Sequence, residues 1–230
     1  MFQFLFLPCR LLTSPEYPDI IRYMIVVDVE TTGVDPRLCS LLSVGALDFD
    51  RPEHQFYMEC APFPGAHIEK EALAVSGFTM EDIEANNQSP NANNQKKTDR
   101  AVVEAFLEWM RTCSEWTLCG QNPSFDRDFL QETAHRYHLN WPLAHRTVDL
   151  HSVAYGDHLQ RGKSIPLTHN HSALNLDTIL AYVGLPSRQG SHHALDDAKL
   201  EAEALSRLIH KRGLLKEYSQ FEIPKKEAKD

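Results

Sequence analysis

One short segment constrains this 230-residue chain more than any other. Arg22 to Val29 reads RYMIVVDV: apolar, rich in β-branched side chains, and stopped at Thr31-Thr32-Gly33. Side chains branched at Cβ suit a pleated strand, and a near-continuous apolar run bounded by a turn predicts a buried one. Yet Asp28 stands at the end of the run and Glu30 two residues on. Positions two apart in a strand face the same way, so both carboxylates project together from a greasy strand.

The rest of the chain predicts an α/β domain. Leu41 to Phe49 and Gln55 to Cys60 read as second and third strands, with the Arg51-Pro52 break marking a hairpin. A short helix is expected over Glu69 to Val75, ended near Gly77, and Thr79 with Asp82 signals the cap of another. Residues 86–99, nearly all polar, predict a surface loop inserted into the domain. Thr98 or Asp99 caps a helix to about Arg111, with Val102, Phe106, Trp109 and Met110 on one face. Thr117 to Gly120 reads as a strand, followed by a helix with Asn122 at its cap and Pro123 in the first position. Thr147 to Val153 fits a strand or a helix start, Leu174 to Val183 a helix closed by Gly184 and Pro186, and Ala194 to Lys211 a clear amphipathic helix. Three early strands followed by alternating strand and helix predict a mixed sheet flanked by helices.

Composition narrows the classes. Hydrophobic residues are 42% and charged residues 24%, ordinary for a globular domain. Acidic residues outnumber basic ones, 32 to 23, for a net charge of −9. That excludes a broad basic footprint on duplex nucleic acid, but not capture of one strand end through bound cations. The five cysteines are scattered without a CxxC pair, which fits a reducing cytoplasm rather than disulfides or a zinc site. The opening MFQFLFLPCRLL lacks a basic start, contains Pro8 and Arg10, and is too short to span a bilayer. Residues 1–23 read as an extension, with Met24 as an alternative start. Residues 24–212 form the expected domain and 213–230 a charged tail.

Three places carry candidate chemistry. Asp28 and Glu30, side by side, repel unless a proton or cation lies between them, and hard divalent ions take such oxygen ligands. The structural alternative is that Asp28 caps a turn and Glu30 faces water. Asp126, in NPSFDRDFL, falls in a first helical turn, where the helix dipole alone would explain it. In HHALDDA the apolar stripe Ala198, Ala202, Leu205, Ile209 puts Asp197 on its shoulder and Asp196 nearly opposite. Asp197 can therefore reach a cleft, with His192 in the loop before the helix. Histidine titrates near neutrality and can act as a base, although 12 histidines in the chain make most of them bland.

Taken in order, DVETTG at Asp28 to Gly33, NPSFDRDFL at Asn122 to Leu130 and HHALDDA at His192 to Ala198 resemble the DEDDh family of 3′→5′ exonucleases, the proofreading-subunit and RNase T-like group. The resemblance spans about Met24 to Arg212. It implies an RNase H-like fold with a central five-stranded mixed sheet. It further implies that Asp28, Glu30, Asp126 and Asp197 hold two ions, Mg²⁺ or Mn²⁺, with His192 as general base. Single-stranded 3′ ends are the implied substrate, DNA favoured, and nucleoside 5′-monophosphates the products. An RNA-trimming exoribonuclease and a nuclease-fold subunit binding beside a polymerase are the alternatives. Substrate contacts are expected from Thr31, Thr32, Asn122 and Phe125, and from Arg161 and Lys163 in a strand-contacting loop, Gly156 to His171. Arg127 and Arg188 are further cations able to steer a strand. Gln121 departs from the histidine that many members carry before the asparagine.

Overall fold

The computed structural model describes residues 24–83, 97–188 and 190–224. Residues 1–23 and most of the expected polar loop, 86–96, lie outside it. The strands are β1 (Ile25–Thr31), β2 (Leu41–Asp48), β3 (Gln55–Ala61), β4 (Lys97–Thr98), β5 (Leu118–Gly120), β6 (Thr147–Asp149) and a small hairpin, β7 (Leu167–Thr168) with β8 (His171–Ser172). The helices are α1 (Lys70–Ser76), α2 (Asp99–Met110), α3 (Pro123–Arg136), α4 (Leu150–Gln160), α5 (Leu176–Tyr182) and α6 (Ala194–His210).

The main sheet is mixed, in the order β4-β3-β2-β1-β5-β6. β1, β2 and β3 run antiparallel in turn, whereas β5 and β6 lie parallel to β1. Six strands replace the expected five, because the polar pair Lys97-Thr98 adds a short parallel edge to β3. Both residues are exposed, so no alternation of apolar and polar side chains announces them.

Strand β1 divides the core. Ile25, Val27 and Val29 face Val102, Phe106 and Met110 of α2 and Phe129 and Leu130 of α3. Met24 and Val26 face the opposite cluster, which includes Leu150 and Ala154 of α4, Ile179 of α5 and Ala198, Ala202 and Leu205 of α6. The two-residue period therefore sends Asp28 and Glu30 to the α6 side.

Helix ends follow local chemistry. Thr98 caps α2 by accepting the Ala101 N–H (3.2 Å), and Thr79 and Asp82 exchange bonds as a capping box. Gly77, at φ 73°, closes α1 in the left-handed region. Residues 147–153 form both a strand and a helix start, with Asp149 capping α4. The helix runs to Gln160, so Gly156 lies in a helix and not in the expected loop.

Residues 214–224, the described part of the expected charged tail, return to the domain. Leu214, Tyr218 and Phe221 pack on the α6 cluster. Glu203, fully buried in α6, accepts the Leu214 and Leu215 N–H groups (2.7 and 2.9 Å) and pairs with Arg207 at 2.7 Å. Arg207 in turn donates to the carbonyls of Tyr218 and Phe221. Among the described residues, no helix is long and apolar enough to cross a membrane.

Candidate active site

Where β1 runs on beyond β5, its backbone and side chains become available on that side. β5 pairs with β1 only through Ile25 and Val26. The Val29 N–H has no partner on that side, and the carboxylate of Asp126 accepts it at 3.0 Å. This bond ties the first turn of α3 to β1. Asn122 precedes that turn in the left-handed region (φ 58°) and makes no side-chain cap bond, unlike the expected cap; Pro123 does occupy the start of the helix.

Helix α6 reaches the same place because β2 has Gly45 directly opposite Asp28. A Cβ at Gly45 would stand 2.2 Å from the Leu195 nitrogen, so only a bare backbone lets α6 lie so close. Asp197 is then 4% exposed and faces inward, while the Asp196 side chain is 65% exposed, the division expected from the helical stripe. Ahead of α6, the His192 N–H donates to the Val75 carbonyl (3.0 Å), which anchors the histidine loop to the end of α1.

Ligand-capable atoms of Glu30, His192 and Asp197 all lie within 4.8 Å of one another. The Nδ1 of His192 is 3.7 Å from Asp197 Oδ2. Arg188 donates from Nη1 to that same carboxylate (3.1 Å), approaches His192 Nδ1 at 3.2 Å, and pairs with Asp177 through Nη2 (2.9 Å). Beside His192 opens a cavity of about 280 Å³, lined by Ser43, Tyr57, Glu59, Gly77 and His193 among others.

Crowding of like charges dominates the electrostatics. Burial, then the neighbouring Glu201, Asp126, Glu30 and Asp197, hold the Asp28 carboxyl well above its ordinary range, although the residue keeps some exposure. Burial first and Asp197 second push Glu30 up to about 7, with Arg188 opposing. Burial raises Asp126 to about 8 against the Val29 N–H bond. Asp197 is also raised, by burial, with Arg188 and His192 opposing. His192 is lowered, by burial first and the Arg188 charge second, so its neutral form is favoured near neutrality. Four close carboxylates with few local cations form a set of oxygen donors that suits a hard divalent cation.

The remaining expected contacts divide. Phe125, half-buried, packs on Phe129 with centroids 4.9 Å apart. Asn122 is exposed beside the start of α3. Thr31 donates to the Gly33 carbonyl (2.7 Å), and the fully buried Thr32 donates to that of His67 (2.7 Å), so both hydroxyls are engaged in the turn. Arg161 and Lys163 are not brought to the carboxylates. Arg161 pairs with Asp157 at 2.7 Å, and Lys163 lies over the Tyr182 ring at 5.5 Å. Arg161 shares a small cavity with Arg207 and Leu208, toward the end of α6 remote from Asp197. One carboxylate was not anticipated: Glu201, 2% exposed. Its signal lay in the stripe itself, since position 201 falls among 198, 202 and 205.

Comparison with known proteins agrees with this architecture. Residues 25–205 match the family described as RNase_T, Exonuclease. The chain is 31% identical to the 3′-5′ DNA exonuclease Cap18 of Escherichia coli over 189 residues, 80% of this chain and 90% of that protein. It is 23% identical to Ribonuclease T of Enterobacter sp. (strain 638), over 82% of each. Its fold resembles the nuclease domain of 3′hExo, a DEDDh family member bound to rAMP, at a TM-score of 0.60 and 17% identity, covering 90% of this chain and 98% of that one. The chain belongs to the RNase T exonuclease family and is a DEDDh-type 3′→5′ exonuclease.

Proposed function

We propose that the protein removes nucleotides from the 3′ end of single-stranded DNA, using Asp28, Glu30, Asp126 and Asp197 to hold two divalent ions and His192 as general base. The observation that carries this reading is the convergence of Glu30, His192 and Asp197, from a strand, a loop and a helix, within 4.8 Å. Mg²⁺ or Mn²⁺, when bound, would activate water and stabilise charge on the leaving 3′ oxygen.

The chain's own residues do the rest. His192, favoured neutral by burial and by Arg188, accepts a proton from the attacking water. The bond between Asp126 and the Val29 N–H fixes one carboxylate against β1 before any ligand arrives. The cavity beside His192 receives the terminal nucleotide. With a net charge of −9, the protein's overall field opposes the approach of phosphate. Attraction is therefore confined to the cation-filled pocket, which favours a strand end over a long duplex.

DNA is favoured because the 31% identical relative, covered over 90% of its length, is a DNA exonuclease. RNA is the second reading, supported by the similarity to Ribonuclease T. The test is to incubate 5′-labelled single-stranded DNA and RNA of one sequence with Mg²⁺, then with EDTA. A descending ladder, faster on DNA and abolished by EDTA, is expected. Unshortened strands, or label released at once as mononucleotide, contradict the reading, and faster RNA decay transfers it to RNA.

A further inference from the structure

Glu201 is buried where a carboxylate has no ordinary reason to be. It lies one helical turn beyond Asp197, between Ala198, Ala202 and Leu205, at 2% exposure. The Gln121 N–H supports its carboxylate, but Oε2 is buried with no hydrogen-bond partner among the described residues. The chain makes room for this oxygen: at Gly120 an added Cβ would stand 3.0 Å from Glu201 Oε2 and 2.9 Å from the Val27 carbonyl. Leucine or methionine at 201 would match the rest of the stripe. A buried, unpaired carboxylate is costly unless a cation compensates it.

The charges that act on it are chiefly of its own sign. Asp126 and Asp197 both oppose its ionisation, and Glu201 in turn is the strongest charged neighbour of Asp28. Arg188 is the nearby cation and is already engaged by Asp177 and Asp197. Fully ionised, as a bound metal would require, Asp28, Glu30, Asp126, Asp197 and Glu201 would together carry five negative charges. Two divalent ions and the Arg188 guanidinium would balance them.

We propose that Glu201 is a positioning residue of the metal centre. It raises the pocket's cation affinity through its charge, and its open oxygen is available to water held by the cations. This rests on the cation-binding reading of the site given above.

The test is Glu201→Gln in the full-length protein, which removes charge and keeps shape. Mn²⁺ binding is read by electron paramagnetic resonance, and thermal unfolding is measured in EDTA. We expect Mn²⁺ affinity to fall roughly tenfold, the scale seen for outer-shell partners, and the metal-free protein to unfold at a higher temperature. The Mn²⁺ concentration for half-maximal cleavage should rise, with little change in rate at saturation. Unchanged affinity with a lower unfolding temperature would overturn the proposal and make Glu201 a core residue. If the Gln variant fails to fold, Glu201→Asp serves: with charge retained, near wild-type Mn²⁺ affinity is expected, and a tenfold loss overturns the charge account. Absence of Mn²⁺ binding by the wild type would instead remove the site reading itself, and this inference with it.

Discussion

Individual carboxylates in this pocket are set by their neighbours more than by their own chemistry. Glu30 and Asp126, raised to about 7 and about 8, are protonated in the metal-free protein at mildly acidic pH. Their folded values exceed the unfolded ones, so they contribute stability that is full below about pH 4 and lost as pH rises through 7 to 8. In EDTA, the contribution of these groups should make unfolding temperature decline across that window, and saturating Mg²⁺ should remove most of the decline. Calorimetry at pH 5 and pH 8, with and without metal, checks this, with Glu30→Gln flattening part of the slope. Rate should show the complementary sign. A lowered His192 makes activity persist below the ordinary histidine range, and His192→Asn should cost roughly 10²-fold or more in kcat. Asp28→Ala should reduce cleavage to background while circular dichroism shows the fold intact.

Elements bring these side chains together through close backbone contact. Gly45 is the clearest case, since α6 lies on its bare Cα opposite Asp28. Gly45→Val should push the start of α6 away, costing about 1–3 kcal/mol by overpacking. It should also weaken Mn²⁺ binding, measurable by urea unfolding and metal titration on one sample. Much of this scaffold could be read from the chain. β1, β2, β3, α2 and α6 carry strong periodicity or caps, and their expected bounds differ from the observed ones by a few residues. Other features are hidden or only partly legible, for physical reasons. β4 is two exposed polar residues whose pairing depends on β3. α4 is legible only as a strand or helix start over 147–153, because His151, Ser152, Gly156 and Asp157 among its apolar residues leave no stripe. The grouping of Asp28, Glu30, Asp126, His192 and Asp197 rested on ordered motifs, whereas Glu201 was hidden by the stripe that buries it. Arg161 and Lys163 show how little a basic side chain in a linking segment says about where it lies, because Asp157 and Tyr182 decide that.

Over the molecule as a whole, the polar pocket is braced by a second buried ionic centre at the far end of α6. Glu203 and Arg207 join that helix to the segment around Leu214 and Phe221. Removing one member leaves the other's buried charge without its counter-charge, so Glu203→Ala should destabilise by about 3–5 kcal/mol in urea unfolding. Arg207→Met, which keeps some volume, should still leave Glu203 stranded and lower the midpoint. On the proposed reading, the net charge of −9 and the cation-dependent pocket act together: metal offsets the repulsion of phosphate locally, which would favour a single strand end. The most direct test is diffraction from crystals soaked in Mn²⁺, recorded at a wavelength where manganese scatters anomalously. Two peaks bounded by Asp28, Glu30, Asp126 and Asp197 are predicted, and both should vanish in Asp28→Ala. Manganese bound elsewhere, or no peak between β1 and α6 at saturating Mn²⁺, would contradict the account.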